Sequence, residues 1–164
     1  MTLTYVEPGI WFGDVAIFDG DRRTHDAYAH GECTTLCVAR ADFKKILSTH
    51  VELYEAMLRL HARRIRQLYG LVEDLNTLPL RARLAKQLIH LVRSYGVASL
   101  SNASEMRIGL QLAQEELAQL LGASRQRVNQ ELKALEREEI IRIEPGGVVV
   151  RNRNALMRIV EADH

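Results

Sequence analysis

The sequence predicts an α+β fold with a β-rich opening, one long helix and a C-terminal winged helix-turn-helix. Short apolar runs alternate over the first 40 positions. A strict heptad seam runs from Tyr54 to Leu75. Gln114 to Ile141 then reads as a helix, a tight turn, a second helix and the start of a strand.

The opening is read from Leu3, Tyr5, Val15 and Ile17, which alternate with other residues, and from breaks at Pro8-Gly9 and Asp19-Gly20-Asp21. Thr34 to Ala39 reads as a further short strand. Helix is expected from about Asp42. The seam itself is Tyr54, Leu58, His61, Ile65, Leu68, Val72 and Leu75, with steps of 4, 3, 4, 3, 4 and 3. Charged residues flank it: Arg59, Arg63, Arg64, Arg66, Glu73 and Asp74. So narrow a stripe suits a partner helix better than an ordinary core face, which predicts a parallel homodimer through residues 54–75. A helix packed on its own domain is the competing reading. His61 is expected to be a packed polar residue of the seam.

Asn76-Thr77-Leu78-Pro79 should end that helix, because proline disfavours helical geometry in the residue before it. A hinge fits there. An amphipathic helix follows from Leu80 to Tyr95, with Leu84, Leu88, Leu91 and Val92 on one face. Gly96 to Ser104 reads as loop, and Met106, Ile108, Leu110 and Leu112 alternate as a strand. In the next helix Leu117, Leu120 and Leu121 point inward. Gly122-Ala123-Ser124 makes the corner, with glycine tolerating the left-handed backbone and Ser124 capping the next helix. Val128, Leu132 and Leu135 face the core at i, i+4 and i+7. Ile141 to Ile143 and Val148 to Val150, joined through Glu144-Pro145-Gly146-Gly147, make a two-stranded wing. The last helix is expected from Asn154, as its cap, with Leu156, Ile159 and Val160 inward.

The outer face of the second helix carries the chemistry. Arg125, Gln126, Asn129, Gln130 and Lys133 lie there, and Ser124 and Arg127 complete the expected contacts with double-stranded DNA. Arginine can donate two bonds to guanine O6 and N7, and Gln or Asn can pair bidentately with adenine. Arg125 and Arg127 also occupy a first turn where the helix dipole disfavours cations. That placement makes sense if the helix start faces phosphate or guanine. A solvated face on an ordinary helix is the bland alternative. The turn, the core spacing and the wing together favour a reading head laid in the major groove.

Bulk properties set the limits. The chain has 164 residues, enough for one domain or two small ones. No apolar run approaches the roughly 20 residues that span a bilayer. The opening MTLTYVEPG lacks the basic region and apolar core of a signal peptide. A cytoplasmic protein with no membrane partner is therefore expected. Net charge is +1, but residues 1–78 carry 9 Lys/Arg against 11 Asp/Glu, and residues 79–164 carry 13 against 10. Cys33 and Cys37 are expected to be free thiols, since structural zinc takes four ligands. Six histidines are scattered at 25, 30, 50, 61, 90 and 164, and no glycine-rich phosphate loop or nucleophile elbow is present. An enzyme is not expected.

The chain resembles the Crp/Fnr family, the cyclic-AMP-receptor-protein-like bacterial transcription regulators. RARLAKQLIHLV, QEELAQLLGASRQRVNQELKALE and IIRIEPGGVVV resemble its DNA-binding domain, and the heptad helix resembles its central dimer helix. WFGDVAIFDGDRRTHDAYAHGECTTLCVARADFKKIL resembles the end of its effector domain, where Phe-Gly-Glu, a short helix and an Arg-Ser or Arg-Thr pair form a phosphate cassette. The resemblance implies a partial effector β-roll over 1–45, a dimerisation helix over 46–78 and a winged helix-turn-helix over 79–164. It places Arg125, Gln126 and Gln130 at the main base-reading positions, where the cyclic-AMP receptor type has Arg, Glu and Arg. That receptor's operator is therefore not carried over.

By the same resemblance Gly13, Asp14, Arg23 and Thr24 would form the cassette for a cyclic nucleotide. Asp14 stands where the family has Glu, and Arg22 and Asp26 replace the usual Pro and Ala around the Arg-Thr pair. Family members carry roughly sixty residues ahead of the point matching Met1, a fold-level analogy. Strands at Val15–Phe18 and Thr34–Ala39 would then have open edges, and an effector pocket would be incomplete. The resemblance also implies RNA polymerase as a partner. The alternative function is a ligand- or partner-binding module whose helix-turn-helix is a packing unit.

Overall fold

The computed structural model describes residues 2–99, 102, 105–111 and 113–162. Its contacts divide the chain into two units, Val6–Leu68 and Met1–Tyr5 with Tyr69–His164.

In the first unit, α1 (Val15–Phe18) is one helical turn where alternation predicted a strand. The backbone is satisfied locally: Ile17 N–H donates to the Asp14 carbonyl at 2.9 Å and Asp19 N–H to that of Val15 at 3.1 Å. No neighbouring strand is available among the described residues, so a strand would leave its polar groups unpaired. Thr34 to Ala39 likewise forms no ladder, and Leu36 is 98% exposed. Leu3 and Tyr5 are not in a strand either. The α+β class rests on strands elsewhere in the chain.

Helix α2 (Arg40–Thr49) starts two residues before the expected Asp42, which sits in its first turn. It buries Phe43 and Leu47. The rings of Trp11 and Phe18 pack on Phe43 with centroids at 5.3 and 6.3 Å.

Helix α3 (Glu52–Thr77) runs unbroken for 26 residues and buries none of them. Two stripes share it. Leu53, Met57, Leu60, His61 and Arg64 are half-buried. Tyr54, Leu58, Ile65, Leu68, Val72 and Leu75 are exposed. His61 thus leaves the seam predicted for it. Its ring meets Phe18 edge-on at 5.5 Å, and its Nε2 lies 3.4 Å from Asp14.

The second unit is built on α4 (Leu80–Tyr95), which buries Leu80, Ala82, Leu84, Ala85, Leu88, Leu91 and Val92. Pro79 is its extended N-cap, and the preceding Leu78 is 5% exposed. Each fully buried Leu contributes about 1.5–3 kcal/mol relative to exposure. An antiparallel sheet of four short strands follows, β1 (Gly96–Ala98), β2 (Met106–Ile108), β3 (Ile141–Glu144) and β4 (Gly147–Val150), in the order β1-β2-β4-β3. β1 (Gly96–Ala98) lies where a loop was expected and pairs with β2 (Met106–Ile108) through Gly96 opposite Ile108. A side chain at Gly96 would strike the Val92 carbonyl, so only glycine fits this helix-to-strand corner. β2 ends at Ile108; Leu110 is partly buried against the core, and Leu112 lies outside the described residues.

The wing is present as predicted: β3 (Ile141–Glu144) pairs with β4 (Gly147–Val150), with Ile141 opposite Val150. β4 is buried along its length. Helix α7 (Arg153–Ala162) packs on α4 and buries Leu156, with Ile159 and Val160 partly buried against the same core. Its cap is Asn152 and not Asn154: the Asn152 Oδ1 accepts from Ala155 N–H at 3.0 Å. Asn152 comes just before the first helical residue, where a side-chain oxygen reaches the free amides of the first turn.

Candidate nucleic-acid interface

The helix-turn-helix is α5 (Gln114–Leu120), a corner, and α6 (Arg125–Arg137). α5 starts at Ala113, which has no side-chain acceptor, but Glu116 reaches back to Ala113 N–H at 3.3 Å. Glu116 also accepts from the Tyr5 hydroxyl at 2.9 Å. Burial first, and then that bond to a carboxylate, push the Tyr5 hydroxyl's pKa up.

The corner is a Schellman motif. Ala123 N–H donates to the Ala118 carbonyl at 3.0 Å and Gly122 N–H to that of Gln119 at 3.2 Å. Gly122 has φ +60, the left-handed geometry the sequence required. Ser124 then caps α6, its hydroxyl accepting from Arg127 N–H at 3.4 Å. The far end repeats the motif around Glu139, the one non-glycine with positive φ (58) among the described residues. Glu139 N–H meets the Glu136 carbonyl and Ile140 N–H that of Leu135.

Val128, Leu132 and Leu135 are buried as expected. Ser124, Arg125, Gln126, Arg127, Gln130 and Lys133 are exposed or half-exposed together at the front of α6. Asn129 is not fully with them: it is half-buried, and its Oδ1 is covered without a hydrogen-bond partner. Sequence reasoning missed Arg137. It is exposed, continues the stripe Gln126, Gln130, Lys133 at the next i+4 step, and lines a shallow groove with Gln130, Lys133 and Glu136. Its Nε donates to the Lys133 carbonyl at 3.3 Å, which suits a cation at a helix C-terminus. Extending the outward i, i+4 series by one step would have found it. The first turn of α6 carries no acidic residue. The positive end of the helix dipole and the two arginines therefore add.

The wing's cations are spent internally. Glu105, only 5% exposed, accepts from Arg142 at 2.8 Å and Arg151 at 3.1 Å. Glu144 accepts from Arg142 at 3.0 Å and from Arg107 at 3.3 Å. This network was invisible in the sequence, because it joins residues up to 46 positions apart. Arg125, Arg127 and Lys133 of α6 take no part in it. Glu136 also serves the wing, accepting the Ile143 N–H of edge strand β3 at 2.7 Å.

Of the cassette residues, Gly13 and Arg23 come together: a Cβ on Gly13 (φ +80) would lie 3.6 Å from the Arg23 guanidinium. Asp14 is 1% exposed, and Arg64 Nη1 donates to both its oxygens at 3.0 Å. Arg64 Nη2 also donates to the Trp11 carbonyl. Thr24 Oγ1 lies 2.8 Å from its neighbour His25 Nδ1. Arg23 beside a glycine backbone fits an anion such as a phosphate. Asp14 is not open to a ribose hydroxyl, since it is 1% exposed beneath Arg64. Cys33 and Cys37 are free and exposed. Among the described residues no group of three or more His, Cys, Asp or Glu could hold a metal, and no helix is long and apolar enough to cross a membrane.

Residues 82–159 match the model of the Crp-like helix-turn-helix domain, and residues 1–50 match that of the cyclic nucleotide-binding domain. The chain is similar to a CRP-like cAMP-activated global transcriptional regulator of Mycobacterium tuberculosis, with 33% identity over 156 residues, 95% of this chain and 68% of that protein. It is 30% identical to a cyclic AMP receptor protein of Thermus thermophilus over 96% of this chain and 68% of the relative. Among solved structures, a CRP/FNR-family transcriptional regulator from Thermus thermophilus superposes with a TM-score of 0.62 at 23% identity, covering 69% of this chain and 56% of that one. FixK2 from Bradyrhizobium japonicum gives 0.66 at 20% identity, covering 74% and 59%. These two share the fold.

Proposed function

The chain belongs to the Crp/Fnr family of transcription regulators, and from that membership we propose that it reads a near-palindromic operator as a homodimer. The observation that carries the proposal is the front of α6. There Arg125, Gln126, Gln130 and Lys133 face outward, on a helix fixed from behind by Val128, Leu132 and Leu135. Arg125 reads guanine, the two glutamines favour adenine, and Lys133 and Arg137 engage phosphates. The open stripe of α3 supplies the dimer contact, since Leu58, Ile65, Leu68 and Val72 are otherwise apolar surface in water. We read the protein as a regulator and not a catalyst, with RNA polymerase as a downstream partner.

Selection of bound sequences from a random duplex pool tests this reading. The expected winner is a near palindrome with half-site centres about 34 Å apart, one helical turn. Failure to enrich any common half-site would sink it. For the effector, titration calorimetry with cyclic AMP and cyclic GMP is expected to give no micromolar binding to this chain, because the Asp14 carboxylate is buried beneath Arg64. Micromolar binding of either nucleotide would overturn that part.

A further inference from the structure

The segment where sequence suggests a swivel, Asn76 to Pro79, is heavily tied to the reading unit. The Lys86 ammonium of α4 reaches back to Asp74 in the last turn of α3 at 2.7 Å, and the Asp74 side chain is only 13% exposed. Arg83, one turn earlier on α4, donates from Nη1 to the Leu75 carbonyl at 3.1 Å. That carbonyl belongs to the end of α3, where helix carbonyls lack intrahelical donors and the dipole is negative. Leu78 N–H donates to the Asp74 carbonyl at 3.0 Å, and the Leu78 side chain is buried. On the other side, the helix-turn-helix corner sits on the same turn: a Cβ on Gly122 would lie 3.4 Å from Leu75 Cδ2. Finally Arg81 of α4 donates to Glu138, beyond the end of α6, at 2.6 Å. The end of the dimer helix, α4 and the recognition helix are thus pinned to one another through charged side chains clustered on one short stretch.

We propose that Asp74, Arg83 and Lys86 are positioning residues. They weld the last turn of α3 to the reading unit, so that α3 itself sets the separation of the two recognition helices. This rests on the dimer reading of α3 proposed above. Individually these contacts are modest, because Lys86 is 45% exposed and an exposed ion pair is weak. Their effect is geometric. None of them lies on the reading face, and the seam residue Leu75 is met by Arg83 through its backbone carbonyl alone. Breaking them therefore leaves each head able to bind one half-site while loosening the distance between heads.

The test uses the full chain and the palindrome selected from the random pool, together with duplexes whose central spacer is lengthened or shortened by single base pairs, and a duplex with one half-site. The wild type is expected to prefer one spacing sharply. Asp74→Ala and Lys86→Ala should bind the single half-site as the wild type does, yet lose at least about threefold of the spacing preference, the scale of one partly exposed ion pair. The charge exchange Asp74→Lys with Lys86→Asp should restore the preference, which a general loss of stability would not allow. If both single variants keep the wild-type spacing profile, or the exchange fails to rescue, the welding is wrong. If light scattering gives a monomeric wild type, the dimer reading and this proposal fall together. A dimeric wild type with unaffected variants removes the proposal alone.

Discussion

Arg125 stands in the first turn of α6, where the helix dipole costs a cation a few tenths of a kcal/mol. It has no acidic residue beside it there. Arg125→Ala should reduce operator affinity by about 1–3 kcal/mol and relax base choice at its position, as measured by competition binding. Unchanged affinity and unchanged choice would remove it from the reading face. Glu139 offers a stability counterpart. It takes the left-handed position of the cap that ends α6, which suits glycine. Glu139→Gly should raise unfolding stability by about 0.5–1 kcal/mol in urea titration without altering DNA binding. Arg64 is the opposite case: it is the partner of a carboxylate that is 1% exposed. Arg64→Ala should cost about 3 kcal/mol, because it takes the guanidinium from a buried carboxylate and leaves it the His61 ring at 3.4 Å. At this scale most outward residues of α6 were legible, since helical spacing sorts them from Val128, Leu132 and Leu135, though Asn129 is half-buried and Arg137 lay one step beyond the series read. Glu105 was not, because a buried carboxylate is only intelligible with the distant arginines that neutralise it.

At the scale of elements, long periodic segments were legible and short ones were not. The exposed stripe of α3 apart from His61, the inward face of α4, the corner at Gly122 and the wing follow from spacing and turn chemistry. Val15 to Phe18 misled because four alternating residues fit a strand or one helical turn equally well, and only a neighbouring strand would decide. The family pattern, with its short helix at that point, reads this stretch better than alternation does. β1 was missed because three residues after a helix end carry almost no periodic signal. The second stripe of α3 was missed because the heptad drew His61 outward, whereas Phe18 and Asp14 draw it inward. The outward stripe predicts assembly: Ile65→Asp with Leu68→Asp should give monomers in light scattering. An intact dimer would show that α3 is not the seam.

For the whole molecule, net charge +1 conceals where the cations are. The wing arginines are matched by Glu105 and Glu144, while Arg127, Lys133 and Arg137 stay at the surface of α6. Binding to generic duplex DNA should therefore fall with salt, with a log–log slope of about −5 for a dimer placing three cations per protomer on phosphates. Arg137→Ala should make that slope shallower by about 2, one for each protomer, while leaving sequence choice intact. A slope unchanged by Arg137→Ala would return that residue to a purely helix-capping role.

The open stripe of α3 has a last consequence, in the realm of dosage. On the dimer proposed above, a helix of 26 residues that buries none of them within its own chain would draw much of its stability from a second copy. The melting temperature should then climb with protein concentration. Operator occupancy near the dissociation point should follow roughly the square of the amount of chain present, since two copies make one reader. A cell could therefore silence such a regulator by modest dilution during growth, with no signal molecule and no change in the protein itself.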